Sequence, residues 1–384
     1  MEFKLKDGKI ILFFEGELNS SNSEEIYAES ENILKKEKFD GVILNFAKIT
    51  YVSSAGLRIV LRLKQQYGDV IVVETSLEVY DVFNMTGFTN IMEVKKGLKV
   101  VDINGAKVIG TGFFSTVYRI DKDTIIKVFN RTSDTEQIER ELKRAKQAFI
   151  LGIPTAISFD IVRVGEKLGV RFEMLDCESL KDAFLNHPEN YDKYIEKYSE
   201  LIKKITSTEC LDPTLPDIKK FYLEKIEFIK EYLESKYYEQ LKKMFEKLPD
   251  AWTFVHGDCH FKNIMVQGED LLLIDMDTLS RGCPIFELAA LRVPYVAFDE
   301  DDPGNCERFL GVPKELVIKI YQDLIRNYFG KYDEDIESKL AIVCYVHMVW
   351  WNRTNEPDNK VRLEGCRGRL YKLLDKYNDL DLGL

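Results

Sequence analysis

Histidine is scarce in this chain, at 4 residues, and none of the 7 cysteines comes before Cys177. The cysteines are odd in number and form no CxxC pair. That excludes a disulfide framework or a zinc ribbon as the organising device and fits reduced thiols. No apolar run approaches the ~20 residues of a membrane-spanning helix, and the opening Met-Glu-Phe-Lys-Leu-Lys lacks the apolar stretch of a secretion signal. These absences lead to the expectation of a soluble, cytoplasmic protein without membrane contact. Excess positive charge is also missing. The net charge is −11, so a general nucleic-acid binder, which needs basic patches against phosphates, is not expected. Internal repeats and low-complexity segments are absent too.

What is present is enough apolar material, 45% of 384 residues with 12% aromatics, for two or three packed domains. The acid is uneven. Residues 1–100 hold 15 Asp and Glu against 13 Lys and Arg, and the remainder holds 50 against 41. An acidic C-terminal part can draw in a cationic substrate.

The chain changes pattern near residue 100. Residues 2–16 read as two strands joined at Asp7-Gly8. A helix is expected at 22–37, capped by an Asn or Ser between Asn19 and Ser23, then a buried strand at 41–46 and a helix from Ser54. A strand at 69–74, a helix at Leu77–Met85 and a short strand at 91–94 complete an α/β sandwich. After a Lys- and Gly-containing connection, strands dominate from Ala106 to Val128. A helix is expected at 135–151 and two more strands at 155–162 and 169–174. From Leu180 the chain is almost wholly helical, apart from a strand-loop-strand region at 254–275. A small β-rich lobe (about 105–175) and a large helical lobe (about 176–384) imply a cleft between them.

The strongest chemical signal is Val255-His256-Gly257-Asp258-Cys259-His260-Phe261-Lys262-Asn263-Ile264-Met265-Val266, followed by Leu271-Leu-Leu-Ile-Asp275. Phosphoryl transfer needs a carboxylate to orient the attacking hydroxyl and accept its proton, and oxygen ligands to hold Mg²⁺ on the phosphates. Asp258 fits the first role; Asn263 and Asp275 fit the second. A polar β-turn with incidental acids is the plainer alternative. The five loop residues His256, Gly257, Asp258, His260 and Asn263 and a following apolar strand ending in Asp weigh against it.

These residues resemble the aminoglycoside phosphotransferase and choline kinase superfamily, whose catalytic loop has the form His-Gly-Asp-x-His-x-x-Asn. The resemblance covers about 105–384. It implies a protein-kinase-like α+β fold, ATP with Mg²⁺, and transfer to a hydroxyl. Glu287, in Gly282-Cys-Pro-Ile-Phe-Glu-Leu-Ala289, stands where the family has a loop-bracing Asp. His256 is expected to brace the loop as well. His187 and His347 read as ordinary residues.

Gly110-Thr-Gly112-Phe-Phe-Ser115 looks like a phosphate loop, although a glycine turn in a hairpin would give the same pattern. Lys127, in Ile-Ile-Lys-Val-Phe, reads as the phosphate-binding strand lysine. Glu136, Glu139 and Glu141 compete to be its partner, and the family spacing selects Glu141. Glu173-Met174-Leu175 resembles the adenine-binding hinge. The protein-kinase tripeptides Asp-Phe-Gly and Ala-Pro-Glu are missing, which favours a small-molecule acceptor. A protein Ser/Thr acceptor and a regulatory scaffold that binds nucleotide, or nothing, without catalysis are the rival readings. Phe298-Asp-Glu-Asp-Asp302 and Tyr345-Val-His-Met-Val-Trp350-Trp351-Asn352 offer acid and aromatic groups that suit an amine, or else a solvated loop and a helix core.

Residues 1–98 resemble the STAS domain of anti-anti-sigma factors, through Phe46-Ala-Lys-Ile-Thr-Tyr-Val-Ser53-Ser54-Ala-Gly56-Leu-Arg58 and the order of elements. The resemblance places Ser54 at the family's phosphorylated serine and implies a protein partner docking there. Ser53 or Ser54 can equally serve as a helix cap.

Overall fold

A computed structural model of the chain describes all residues except 113–114, 131–134, 176 and 384, and all side chains except also those of 135–137 and 141. The chain divides into two compact units, Met1–Asp102 with Val162–Glu166 and Ile103–Ile161 with Lys167–Leu384.

In the first unit, β1 (Glu2–Lys6) and β2 (Lys9–Leu18) form an antiparallel hairpin. Asp7 and Gly8 turn it with φ of 50° and 76°, the left-handed conformation that tight hairpin turns require. α1 (Ser23–Leu34), β3 (Gly41–Val52), α2 (Ser54–Tyr67), β4 (Val70–Thr75), α3 (Leu77–Met85), β5 (Val94–Lys96) and β6 (Lys99–Val100) follow. The sheet order is β1-β2-β3-β4-β5, parallel from β2 onward. Ile10, Leu12 and Phe14 are buried and alternate with half-exposed neighbours, so one face of β2 meets the core. β3 runs past the expected end at 46 because β2 continues to offer it a partner across two register shifts. The expected cap of α1 differs. Asn22 is the N-cap, but its Oδ1 accepts from the Asn19 backbone N–H (3.0 Å) rather than from the helix. A short polar side chain here bonds its local turn instead.

The second unit begins with an antiparallel run of β7 (Lys107–Thr111), β8 (Ser115–Arg119) and β9 (Thr124–Phe129). Helix α4 (Thr135–Ile150), β10 (Ser158–Val164) and β11 (Lys167–Glu173) follow, giving the order β10-β11-β9-β8-β7. Next come β12 (Glu178–Ser179), α5 (Leu180–Asn186), α6 (Tyr191–Ser207), α7 (Ile218–Phe228) and α8 (Ser235–Glu246). The strand-loop-strand region holds β13 (Phe254–Val255), β14 (Ile264–Gln267), β15 (Asp270–Leu273) and β16 (Ser280–Arg281). β13 pairs with β16, and β14 lies between β12 and β15. The tail is helical from α9 (Ile285–Arg292) through α10 (Phe298–Asp301), α11 (Asn305–Leu310), α12 (Lys314–Phe329), α13 (Glu334–Asn355) and α14 (Lys360–Leu374). One core runs through the helices and includes Tyr198, Phe254, Phe261, Phe286 and Tyr295. Fully burying a ring such as Phe261 stabilises by about 1.5–3 kcal/mol, so these side chains fix the loop that they flank.

Candidate active site

β13 carries the chain into the loop at Asp258, and buried groups hold that loop from several sides. Gly257 adopts φ +80°, a left-handed backbone that a side chain would strain. Glu287 on α9 is 0% exposed, and its Oε2 accepts from the backbone N–H of His256 (2.5 Å) and of Gly257 (2.9 Å). Its other oxygen has no hydrogen-bond partner among the described residues. Burial outweighs the two N–H groups and pushes the Glu287 carboxyl up to about 7. The Thr278 hydroxyl donates to the His256 carbonyl at 2.5 Å. The Phe261 N–H donates to the Tyr295 hydroxyl at 3.1 Å, and the Tyr198 hydroxyl donates to the Cys259 carbonyl.

Two histidines sit inside this frame. His256 is fully buried, and its Nδ1 accepts from the Asp258 N–H at 3.3 Å, which braces the loop from within. Burial lowers its pKa. His260 places Nε2 3.4 Å from Asp258 Oδ1, while burial pulls its imidazole down to about 4, so it is neutral at pH 7. Asn263 donates through Nδ2 to the Asp258 carbonyl (2.9 Å) and to Oδ2 (3.0 Å). The Asp258 side chain is 47% exposed. Protein around it still displaces enough water to push the carboxyl up to about 6, and Asp275 adds repulsion. At neutral pH it is largely an ionised base.

Beside this loop lies a charge cluster. Lys127 on β9 has a side chain only 12% exposed, and its Nζ lies 2.8 Å from Asp275 Oδ1 and 2.8 Å from Asp277 Oδ2. Burial would lower the Lys127 pKa, but the two carboxylates raise it. Burial would likewise raise Asp275, yet Lys127 holds that carboxyl below its ordinary value. The sequence places Asp275 at the end of a strand. In the structure β15 stops at Leu273, and Asp275 stands beyond it with φ 66°. Among the described residues no three His, Cys, Asp or Glu converge as a metal cluster. Asn263 and Asp275 nonetheless supply hard oxygen donors. These suit Mg²⁺, which takes one or two protein ligands and completes its shell from phosphates and water.

Gly110 lies within β7, opposite Val117, and Gly112 follows that strand, its N–H donating to the carbonyl of the buried Ser115 at 2.9 Å. The side chain of Glu141 lies outside the described residues, as does that of Glu136. At the expected hinge, the backbone N–H groups of Glu173 and Met174 donate to Ile157 and Asp123, and Leu175 is buried. The Glu173 carboxylate accepts from the Ile157 N–H at 2.7 Å, so that side chain is used structurally.

A cavity of 580 Å³ reaches Asp258, and its wall is mainly apolar, including Phe221, Phe286, Phe309 and Trp351. Lys225 and His347 also line it. His347, read from sequence as ordinary, is bonded through Nδ1 to Lys225 Nζ at 2.9 Å. Neither carries a motif, and only their one-turn neighbours Phe221 and Trp351 hint at a shared face. The acid run 299–302 does not line the cavity. Asp299 pairs with Lys314, Glu300 with Arg292, Asp301 with Arg369 and Asp302 with Arg308. These acids hold the helical tail together and offer no free anionic surface for an amine.

Residues 105–309 match the model of the phosphotransferase enzyme family. The chain belongs to that family. Residues 1–101 match the STAS domain. A protein from Bordetella bronchiseptica, named as a candidate anti-sigma factor antagonist, BtrV, is 37% identical over 93 residues, covering 23% of this chain and 78% of that protein. Among solved structures, a choline/ethanolamine kinase family protein from Mesorhizobium loti is similar with 14% identity and a TM-score of 0.46, covering 71% of this chain and 88% of that one. An ADP-bound aminoglycoside phosphotransferase, APH(2'')-Ib, is similar with 15% identity and a TM-score of 0.47, covering 79% and 98%. The phosphotransferase part has the kinase-like fold, and the STAS part is an α/β domain.

Within the STAS domain, Ser53 is the N-cap of α2 and its hydroxyl accepts from the Gly56 N–H at 3.4 Å. Ser54 is the first residue of the helix and is exposed. Gly56 has a packing reason, since an added Cβ would meet the Leu18 carbonyl oxygen at 2.4 Å. Capping is therefore the work of Ser53, and it leaves the Ser54 hydroxyl open to solvent.

Proposed function

We propose that the phosphotransferase domain moves the γ-phosphate of ATP, with Mg²⁺, to a hydroxyl of a small molecule. The reading is carried by one observation: a single braced loop presents Asp258 to the cavity, next to the cluster of Lys127, Asp275 and Asp277. In it, Asp258 orients the acceptor hydroxyl and takes its proton as the bond to phosphorus forms. Lys127 exchanges its carboxylate partners for phosphate oxygens, and the segment of Gly110, Gly112 and Ser115 covers the phosphates. Glu141 remains the choice for the helix acid that pairs with Lys127. Backbone groups at Glu173–Leu175 would take the adenine. Asn263 and Asp275 would hold Mg²⁺, which supplies charge neutralisation on the phosphates. Calorimetry with ATP, with and without Mg²⁺, tests this. Absence of binding at millimolar nucleotide would remove the enzyme reading and leave the scaffold.

The domain limits we adopt are 1–98 and 105–384, and we place the protein in the cytoplasm. The STAS domain serves as a docking module for a protein partner, with Ser54 as its regulatory phosphorylation site. A phosphate there would sit at the N-terminus of α2, where the helix dipole tolerates it, while a partner's apolar surface would not.

A further inference from the structure

The cavity beside Asp258 holds a buried cation that the phosphotransfer chemistry does not use. Lys225, on α7, is only 2% exposed. Its ammonium is bonded to His347 Nδ1 at 2.9 Å. It also lies over the rings of Phe221 (4.3 Å), Tyr222 (4.2 Å) and Trp350 (4.7 Å). No carboxylate pairs with it among the described residues, although ion pairs are common elsewhere in this unit. A buried ammonium without an anion is costly, and burial accordingly pulls Lys225 down to about 7. His347 gives it no charge, since burial lowers that imidazole to about 3.

The rest of the lining points the same way. Arg144, also on the wall, has no ion-pair partner among the described residues. The acids on the wall are Asp258, which the phosphotransfer reading reserves for the acceptor hydroxyl, and Asp277, which is paired with Lys127. An ammonium-bearing acceptor would meet two cations and little free acid. An anionic acceptor would supply the charge that Lys225 lacks, against apolar walls that exclude water and strengthen the pairing.

We propose that the acceptor is an apolar hydroxyacid: a hydroxyl for Asp258, an aromatic or aliphatic body for the ring-lined wall, and a carboxylate for the ammonium of Lys225. The proposal rests on the phosphotransfer reading and deepens it.

Matched probes test it on the full chain by calorimetry: para-(hydroxymethyl)benzoate, its neutral amide, and para-(hydroxymethyl)benzylamine, with the corresponding naphthalene trio, each titrated with ADP and Mg²⁺ present so that no phosphate is transferred. The acids are expected to bind about tenfold or more tighter than the amides and amines, as a charge-assisted contact in a dry site implies. Lys225→Met should bring each trio within about threefold while a retained melting temperature shows an intact fold, because a buried unpaired charge is exchanged for an apolar group of similar length. Lys225→Arg should keep the preference for the acid. Amines binding as well as acids, acids that do not bind at all, or a preference that survives Lys225→Met would each overturn the proposal. The ATP titration that precedes the probes separates the two readings. Failure of ATP to bind removes phosphotransfer, whereas ATP binding without acid preference removes only the hydroxyacid.

Discussion

Replacing Glu287 by Gln isolates the electrostatic cost of the acid that braces the loop carrying Asp258. The carboxyl is fully buried, its Oε1 is unpartnered, and burial raises it from 4.5 to about 7. Each tenfold weakening of an acid corresponds to about 1.4 kcal/mol, so ionising Glu287 in the folded state costs roughly 3 kcal/mol more than in the unfolded chain. The sign follows from proton binding. Between about pH 4.5 and 7 the folded protein keeps the Glu287 proton and the unfolded chain releases it, so this group's contribution to stability falls as pH rises through that window and levels off above it. Gln keeps an oxygen for the two N–H groups at His256 and Gly257 but has no proton to lose. Its own amide N–H₂ finds no partner where Oε1 sits, which adds a penalty independent of pH.

The assay is urea unfolding followed by tryptophan fluorescence from about pH 4 to pH 8. All three tryptophans, Trp252, Trp350 and Trp351, lie in the second compact unit and report on it alone. The difference in stability, wild type minus Glu287→Gln, should decrease by about 3 kcal/mol across that range while other titrations cancel. A difference constant to about 0.5 kcal/mol would refute the claim that Glu287 titrates in this window.

Further outcomes concern the reaction and the docking module. Asp258→Asn should lower kcat by about 10²–10⁴-fold, the worth of a positioned base, and leave ATP affinity within about twofold; steady-state kinetics on an identified acceptor checks both, and near wild-type kcat removes the role. Lys127→Ala should lower turnover by more than it weakens nucleotide binding, since the lost contact is to phosphate rather than adenine; paired kinetics and calorimetry decide it. Ser54→Asp should weaken capture of a partner relative to Ser54→Ala without an appreciable change in melting temperature, because the added charge sits at a helix N-terminus. Identical partner sets for the two variants would leave Ser54 without a docking role.

The sequence by itself determined the two domain types and the order of their elements. The Asp7-Gly8 turn and the bounds of α3 are local consequences of turn chemistry and helix capping, and both are legible without a fold, whereas the apolar run Ile10–Phe14 does not itself say which alternate side chains β2 buries. The juxtaposition of Asp258, Asn263 and Asp275 was legible as a candidate site for a different reason. The phosphotransfer chemistry proposed for them would demand fixed residue types on one short stretch, so spacing along the chain stands for spacing in the candidate site. The family resemblance already marked Glu287 and His256 as braces of that stretch, and tertiary structure decided which atoms they hold and what the stretch faces. Glu287 lies some thirty residues from the two N–H groups it holds, and Lys127 meets Asp275 across 148 positions. The acid run 299–302 promised an open anionic surface, and only packing showed each of its charges already paired. Lys225 and His347, separated by 122 positions, had no pattern to announce them. A buried cation becomes visible as such only when the fold has taken water and counter-charge away from it.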